Sequence, residues 1–435
     1  MSISPVLAFY AAPLIAIWSA YAISRHKAEA RAVAQRDEAI DAGLGEPTSL
    51  HPIIDPVLCI GCKACLNACP EGDILGLINN KAQLIEPSNC IGHGACKTSC
   101  PRGAISLVFG TATRGVDLPV TGPNFETNVP GLFIAGELGG MGLIRNAIEQ
   151  GRQATDAIVA KTKASSRPDV LDVVIIGGGP AGISASLGAM EKGLRFTTVE
   201  QDTLGGSVAH FPRGKVVMTA PATLPIVGDT NFKEVSKEKL LAFWQDVVRK
   251  TGLRINFQER VLAVEATGGG FAVKTTRTSY VSRTVLLAIG RRGTPRRLGV
   301  PGEDSAKVMY RMIDPEQFRG KHVLVVGGGD SALEAAASLA EQPGTRVTIS
   351  YRSGAFARAK TKNRQRVEEA RAAKRLEVLL NSTVACIGTD TVDLLHLDLP
   401  IQRRNDTVIV CAGGILPTDF LKSMGIAIET KYGTA

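Results

Sequence analysis

The sequence predicts an α/β protein with an apolar N-terminal helix, a small cysteine-rich α+β module and two doubly wound domains. Three observations lead to this prediction. The first 24 residues carry no charge, seven of the nine cysteines lie between positions 59 and 100, and two stretches pair an apolar strand with a glycine-rich turn and a helix. A chain of 435 residues is also too long for one hydrophobic core.

The overall charge indicates which classes of partner the chain can have. Fifty Lys and Arg against 41 Asp and Glu give a net charge of +9. The basic residues are scattered and are not interleaved with aromatics, so a nucleic-acid partner is excluded. The excess of basic residues predicts affinity for phosphorylated cofactors, for a membrane surface or for an acidic redox partner.

Residues 1–24 are predicted to form a transmembrane anchor, because about 20 apolar residues span a bilayer. Arg25, Lys27 and Arg31 follow this stretch and no basic residue precedes it. The positive-inside rule then predicts a single-pass protein of the cytoplasmic (inner) membrane, with the N-terminus outside and the remaining domains in the cytoplasm. A buried or partner-facing helix and a cleaved signal peptide are the alternatives. Residues 25–50 alternate charges at helical spacing and predict a solvated helical stalk.

The cysteines fall into two runs of nearly equal spacing. The first is Cys-x2-Cys-x2-Cys-x3-Cys-Pro, and the second repeats it with one histidine in place of a cysteine. The runs comprise Cys59, Cys62, Cys65 and Cys69, then Cys90, His93, Cys96 and Cys100. Tight turns at this spacing bring three thiolates to one iron–sulfur cluster. The clustering indicates metal ligation in a reducing compartment, not disulfides or zinc.

Residues 51–112 resemble the two-cluster bacterial ferredoxins, in which the fourth cysteine of each run binds the other cluster. The resemblance implies one 4Fe–4S cluster held by Cys59, Cys62, Cys65 and Cys100. It implies a second cluster held by Cys69, Cys90, Cys96 and the residue at position 93. His93 departs from the family, which has cysteine there. The histidine either ligates the fourth iron and raises the cluster's reduction potential, or stands beside a 3Fe–4S centre, or lies at the surface.

The first glycine-rich turn comprises Gly177, Gly179 and Gly182 and follows the apolar strand Val173–Ile176. Glycines at these positions let a pyrophosphate approach a helix N-terminus. Glu200 closes the next strand, where an acidic residue accepts the ribose hydroxyls. A second glycine pair, Gly205 and Gly206, follows shortly afterwards.

The second glycine-rich turn contains Gly327, Gly329 and Ala332 and follows the strand Val323–Val326. The position of the ribose-binding acid is occupied by Ser350, and two arginines, Arg352 and Arg358, follow it. Two guanidiniums suit a 2′-phosphate, so NADPH is favoured over NADH. The alternative is that both arginines belong to a solvated helix start.

Residues 170–435 resemble the low-molecular-weight thioredoxin reductase group, which includes ferredoxin–NADP reductases and bacillithiol-disulfide reductases. The two glycine turns carry this resemblance, together with the strand-to-glycine segments 287–290 and 410–414. It implies two Rossmann-like domains of three-layer ββα type, often in a homodimer: an FAD domain (169–297), an NAD(P) domain (298–404) and a return segment (405–435). The Cys-x-x-Cys pair of thioredoxin reductases is missing from residues 306–321.

The last FAD-binding segment of that group is missing from the end of the chain and is found near its start. Residues 127–137 read Thr-Asn-Val-Pro-Gly-Leu-Phe-Ile-Ala-Gly-Glu, and a helix to about Lys161 follows. Gly136 and Glu137 stand where the family has Gly-Asp beside the flavin. We therefore predict a circular permutation, with residues 113–163 as the displaced segment and residues 163–169 as a linker.

These observations predict a membrane-anchored NAD(P)H oxidoreductase that moves electrons between NADPH, FAD, two iron–sulfur clusters and a ferredoxin, quinone or membrane redox protein, in either direction. The flavin and the clusters would carry the chemistry, so no catalytic side chain is assigned. Two alternatives stay open at this stage. One is a non-catalytic redox sensor or assembly subunit, and the other is a disulfide or persulfide reductase in which a cluster replaces the dithiol.

Overall fold

The computed structural model describes residues 5–47, 50–162, 169–218, 221–232, 234–291, 293–357 and 359–433. The chain divides into two compact units. Unit 1 comprises Met1–Gly115, Ala355–Lys362 and Tyr432–Ala435, and unit 2 comprises Val116–Gly354 and Asn363–Lys431. The linker at residues 163–168 and Arg358 lie outside the described residues.

Unit 1 contains a long helix and two short antiparallel strand pairs. Its helices are α1 (Pro5–Asp41), α2 (Ala64–Asn67) and α3 (Ala95–Thr98), and its strands are β1 (His51–Ile54), β2 (Leu75–Ile78), β3 (Lys81–Leu84) and β4 (Ile105–Val108). Strand β1 pairs with β4, and β2 pairs with β3. Cys65 of α2 and Cys96 of α3 are the second residues of their helices, so the two halves of the module repeat the same local structure.

The predicted transmembrane helix is wrong. Within the residues that the structure describes, no helix is both long enough and apolar enough to cross a bilayer. Pro13, Tyr10, Trp18 and Tyr21 lower the mean hydropathy of the first half of α1. Charged residues begin at Arg25. The single-pass topology and the placement in the cytoplasmic membrane are therefore wrong as well.

The charged half of α1 packs on the strands of unit 1 and is not solvated all round. Ala32 is buried in a small cluster with Ile78 and Ile85. Glu29 accepts a hydrogen bond of 2.6 Å from the backbone N–H of Asn79. Residues predicted to form a solvated helical stalk thus belong to the cysteine-rich unit.

Unit 2 contains the remaining elements. Its helices are α4 (Ile144–Lys161), α5 (Pro180–Glu191), α6 (Lys237–Thr251), α7 (Asp330–Ala340), α8 (Thr361–Ala372, whose first two residues cluster with unit 1) and α9 (Thr418–Ser423). Its strands are β5 (Val116–Pro119), β6 (Leu132–Ile134), β7 (Leu171–Ile176), β8 (Phe196–Val199), β9 (Val216–Met218), β10 (Ala222–Leu224), β11 (Gly228–Thr230), β12 (Glu234–Ser236), β13 (Val261–Thr267), β14 (Gly270–Thr275), β15 (Ser279–Leu287), β16 (Thr294–Pro295), β17 (Val308–Met309), β18 (His322–Val326), β19 (Arg346–Tyr351), β20 (Leu376–Leu380), β21 (Ser382–Ile387), β22 (Thr391–His396), β23 (Leu399–Arg404), β24 (Thr407–Val410), β25 (Gly414–Ile415) and β26 (Ile428–Lys431).

Each glycine-rich turn follows a strand that pairs in parallel with both of its neighbours. The first sheet has the order β13-β14-β15-β7-β8, with β6 also paired to β15, and the second has the order β17-β24-β18-β19-β20. Strands β7 and β18, which precede the two turns, lie between neighbours and are apolar because both of their faces are covered. A separate antiparallel sheet, β21-β22-β23, accompanies the second domain.

The segment of residues 116–161 is an integral part of the first sheet. Strand β6 pairs in parallel with β15, which in turn pairs in parallel with β7. Helix α4 crosses α5 so closely that a Cβ on Gly151 would overlap the carbonyl group of Ala181. Strand β5 pairs antiparallel with β26, near the end of the chain.

Candidate functional site

The first cavity of unit 1 is lined by four cysteines that come from both runs. Cys59, Cys62 and Cys65 of the first run lie beside Cys100 of the second around this cavity. The remaining lining is largely apolar and includes Ile54. Of the four cysteines, Cys65 is buried and Cys62 is exposed.

The second cavity has the reciprocal composition. It is lined by Cys69 of the first run with Cys90, His93 and Cys96 of the second. Glu71 also lines this cavity, whereas the first cavity is lined by the basic residues Lys63 and Arg102. The two cavities therefore differ in the charge of their surroundings.

The chemistry of the sulfur atoms suits iron–sulfur clusters. Burial raises the pKa of the Cys65 thiol to about 11, and burial does the same for Cys90. Thiols in this environment stay protonated unless a cation is bound, and a bound metal deprotonates them outright. The backbone N–H groups of Ala82 and Ala104 point at the Sγ atoms of Cys59 and Cys100, at 3.5 and 3.3 Å. Such N–H···S contacts tune cluster potentials.

Within the described residues, no three His, Cys, Asp or Glu side chains come close enough to hold a single metal ion. A four-iron cluster does not need that approach, because each of its ligands binds a different iron atom. The spacing of the cysteines around both cavities is therefore compatible with clusters.

Two glycines make room for these ligand loops. Gly61 has φ +69°, and a Cβ there would lie 2.7 Å from Oδ1 of Asn80. Gly92, beside His93, has φ +74°, and its Cβ would lie 2.7 Å from the Cβ of Leu50. Both backbone conformations favour glycine, and both positions lack space for a larger residue.

In unit 2, the first glycine-rich turn lies against a second glycine loop. Gly177 has φ +119°, and a Cβ there would lie 2.7 Å from the carbonyl carbon of Ala288. A Cβ on Gly206 would lie 3.0 Å from the Cα of Gly179. The N–H of Gly205 donates to the carbonyl of Gly178 at 3.0 Å. Two stretches of bare backbone thus meet at the N-terminus of α5, as a dinucleotide pyrophosphate requires.

Glu200 is buried at the end of β8 and faces the same turn. Its carboxylate accepts hydrogen bonds from the N–H of Gly178 at 2.6 Å and from the N–H of Asp202 at 2.8 Å. The carboxylate is therefore held rigidly where β8 and the glycine turn meet.

Gly136 and Glu137 follow β6 and approach the same helix. Gly136 has φ +86°, and a Cβ there would lie 3.1 Å from the Cβ of Ala181, the second residue of α5. The Gly136 N–H donates to Oε1 of Gln150 at 2.8 Å. Glu137 is exposed, and a Cβ on Gly142 would lie 3.5 Å from its Oε1. The carboxylate thus faces the glycine-rich start of α4.

The second glycine-rich turn has the same construction. Gly327 has φ +144° and packs on Cys411, and a Cβ on Gly328 would lie 2.5 Å from the ring of Tyr351. Gly329 precedes α7, in which Ala332 is fully buried. The bare backbone at the start of α7 suits a second dinucleotide.

The residues at the predicted ribose-binding end of β19 differ in solvent exposure. Ser350 is fully buried and donates to Oγ of Ser382 at 3.0 Å, so it does not face a ligand. Arg352 is exposed at the end of β19, whereas Arg358 lies outside the described residues. Of the basic residues that the structure describes, Arg352 is therefore the first in the sequence after the end of β19.

Comparison with known proteins decides the family. A model of the pyridine nucleotide-disulphide oxidoreductases matches residues 174–434. The chain belongs to this family. A model of the 4Fe-4S dicluster domain matches residues 51–101. This oxidoreductase therefore combines an FAD/NAD(P)-type enzyme domain with an iron–sulfur module in one polypeptide.

Similar proteins include two ferredoxin–NADP reductases. That of Ignicoccus hospitalis is 28% identical over 60% of this chain and 83% of its own. That of Pediococcus pentosaceus is 31% identical over 61% of this chain and 79% of its own. Among solved structures, the bacillithiol disulfide reductase Bdr of Staphylococcus aureus is 26% identical, with a TM-score of 0.54 over 59% of this chain and 80% of its own.

Sequence reasoning missed three contacts at these sites. Gln150 supports Gly136, Asn128 joins the displaced segment to the end of the chain through Gly425 at 2.9 Å, and Asn89 bonds to Thr361 at 3.1 Å. Each is a polar side chain in a loop or on a helix, and no spacing rule distinguishes it from solvent-exposed neighbours. Only the folded chain brings the partners together.

Proposed function

We propose that this oxidoreductase transfers electrons between NADPH, FAD, two iron–sulfur clusters and a one-electron acceptor protein. The observation that carries the proposal is the composition of the two cavities, each of which draws one cysteine from the opposite run. A flavin takes two electrons as hydride and passes them on singly, which is the chemistry that joins a nicotinamide to one-electron centres.

The ligand sets follow the two cavities. Cys59, Cys62, Cys65 and Cys100 would hold the first cluster, and Cys69, Cys90, Cys96 and His93 would hold the second. Support for His93 comes from its place on the second cavity and from the left-handed backbone of Gly92 and Gly94 on either side of it.

The dinucleotides would be held by the two glycine turns. Gly177, Gly179 and Gly182 with Gly205 and Gly206 would face the pyrophosphate of FAD, and Glu200 its ribose. Gly136 and Glu137 would face the flavin. Gly327, Gly329 and Ala332 would hold the second dinucleotide, with Arg352 on a 2′-phosphate. The exposure of Arg352 and the lack of a carboxylate at Ser350 support NADPH as the substrate.

We also propose that unit 2 is a circular permutation of the family's arrangement. Strands β26 and β5 run antiparallel, with Lys431 opposite Val116. A short turn between these two residues would make one continuous hairpin and restore the family's order. The displaced segment would then supply Gly136 and Glu137 to the FAD site in their usual place.

The acceptor would dock at the first cluster. Cys62 is exposed, whereas Cys90 and Cys96 at the second cavity are buried. Ile60, Lys63 and Arg102 line the first cavity and are exposed too. One exposed apolar side chain beside two cationic ones suits an acidic one-electron carrier of the ferredoxin type. Opposite charges on the two proteins would speed and orient their association. The names of the similar ferredoxin–NADP reductases support this choice.

The test removes the first cluster and leaves the flavin site intact. Cys65→Ser should retain NADPH oxidation with a two-electron dye and lose reduction of an acidic ferredoxin. Cys386→Ser, a half-buried cysteine in β21, is the matched control and should retain both activities. If the Cys65→Ser variant reduces ferredoxin as fast as the wild type, electron transfer through the first cluster is refuted.

A disulfide reductase is the second candidate, because the similar solved structure is a bacillithiol disulfide reductase. NADPH-dependent cleavage of low-molecular-weight disulfides, unaffected by Cys65→Ser, would favour it. If neither ferredoxin nor disulfides are reduced, while the clusters still respond to the NADPH/NADP⁺ ratio, the remaining alternative is a redox sensor.

A further inference from the structure

Unit 1 contains a short segment from a distant part of the sequence. Residues Ala355–Lys362 cluster with the cysteine-rich module, although they connect β19 to α8 in the sequence. The Oδ1 atom of Asn89 accepts a hydrogen bond of 3.0 Å from the backbone N–H of Thr361. The Nδ2 atom of Asn89 donates to Oγ1 of Thr361 at 3.1 Å. Asn89 thus caps the first residue of α8 from a different part of the chain.

A second contact holds the same segment. The ammonium group of Lys360 lies 3.8 Å from the carboxylate of Glu71, and both side chains are more than half buried. Glu71 lines the second cavity. Asn89 immediately precedes Cys90, which lines the same cavity. Both anchors of the segment are therefore next to the proposed second cluster.

The link between Asn89 and Cys90 is stiff. Asn89 ends the 3-10 turn Pro87–Asn89, in which Pro87 and Ser88 are buried. The N–H of Cys90 donates to the carbonyl of Pro87 at 3.2 Å. A displacement of Thr361 would therefore reach the backbone of Cys90 through a turn that has little freedom to absorb it.

The other end of the segment leads to the second dinucleotide site. Strand β19 ends at Tyr351, and Arg352 follows as the residue proposed to bind a 2′-phosphate. Residues 353–360 separate Arg352 from Thr361 in the sequence, and residue 358 among them lies outside the described residues. A phosphate bound at Arg352 would fix the chain three residues before Ala355, and Asn89 holds Thr361 near the end of the segment.

We propose that Asn89 is a positioning residue that couples nucleotide binding at Arg352 to the reduction potential of the second cluster. This inference rests on the proposed function, because it needs both the nucleotide and the cluster. Coupling between two equilibria is reciprocal. The nucleotide therefore shifts the cluster's midpoint potential, and cluster reduction changes the nucleotide's affinity by the same factor.

The experiment is an equilibrium redox titration of the full-length protein, followed by EPR. The probe is 2′-phospho-ADP-ribose, which carries the 2′-phosphate but no nicotinamide and so cannot accept hydride. ADP-ribose, without that phosphate, is the ligand control. We expect the probe's affinity to differ about fivefold between the two states of the cluster, which is a potential shift of about 40 mV for one electron. Cys96→Ala identifies the signal of the second cluster.

Three variants test the role of Asn89. Asn89→Ala should abolish the shift, and Asn89→Asp should retain part of it because a carboxylate still accepts from the Thr361 N–H. Asn67→Ala, an exposed asparagine at the end of α2, is the matched control and should behave as wild type.

A wild-type potential that is indifferent to the probe would overturn the proposal, and so would an unchanged shift in Asn89→Ala. If Asn89→Ala loses the second cluster, Thr361→Val becomes the deciding variant, since it removes only the Oγ1 bond and should reduce the shift. The titration involves no turnover. A failure of electron transfer from NADPH would therefore refute the proposed function, whereas the shift in midpoint potential could still be measured and interpreted.

Discussion

Replacing Gly177 by alanine tests the first dinucleotide site most sharply. Its φ of +119° lies in a region that L-residues rarely adopt, and holding alanine there costs about 1–3 kcal/mol. The new Cβ would also lie 2.7 Å from the carbonyl carbon of Ala288, and overpacking of that kind costs about 1–3 kcal/mol. The expected loss is the sum, about 2–6 kcal/mol, a large part of a domain's stability.

Gly193→Ala is the matched control for this substitution. Gly193 also has positive φ, +68°, but nothing lies within 4 Å of its Cβ position. Only the backbone term of about 1–2 kcal/mol should apply. Flavin absorbance of the purified protein and denaturant unfolding measure the two effects. We expect Gly177→Ala to lose FAD and Gly193→Ala to keep it. Equal flavin content and equal unfolding free energies would refute the packing argument.

Three further variants, one of them a double substitution, test the proposed cofactor and acceptor sites. Arg352→Ala should raise KM for NADPH about 10- to 150-fold and leave NADH unaffected, in steady-state assays, because a charged hydrogen bond contributes about 1.5–3 kcal/mol; equal losses for both nucleotides would contradict this role. Lys63→Glu with Arg102→Glu should raise KM for an acidic ferredoxin about tenfold at low salt and remove its salt dependence; an unchanged KM would place the acceptor elsewhere. His93→Cys should lower the midpoint potential of the second cluster without changing iron content; a gain of iron would instead indicate a three-iron centre.

The local patterns in this sequence are informative because the chemistry fixes both spacing and residue type. Three thiolates two residues apart, and glycines at a strand-to-helix turn, permit few other structures. The crossing of Cys69 and Cys100 between the runs followed from the family resemblance. The structure brings the same sets of side chains together around its two cavities.

Other features depend on contacts between distant parts of the chain. The N-terminal prediction rested on a stretch of about 20 uncharged, mostly apolar residues, whereas no helix in the described part of the chain is both long enough and apolar enough to cross a bilayer. The pairing of β5 with β26 and the cap that Asn89 provides for Thr361 join residues more than 270 positions apart. No local periodicity encodes such pairs.

The most direct test of the account is a stopped-flow experiment with anaerobically purified, oxidised protein and NADPH. Flavin absorbance should fall first, and cluster absorbance should bleach afterwards in a phase whose rate is independent of protein concentration, because the carriers share one polypeptide. Cluster bleaching that is absent, or whose rate rises with protein concentration, would contradict electron transfer within the chain.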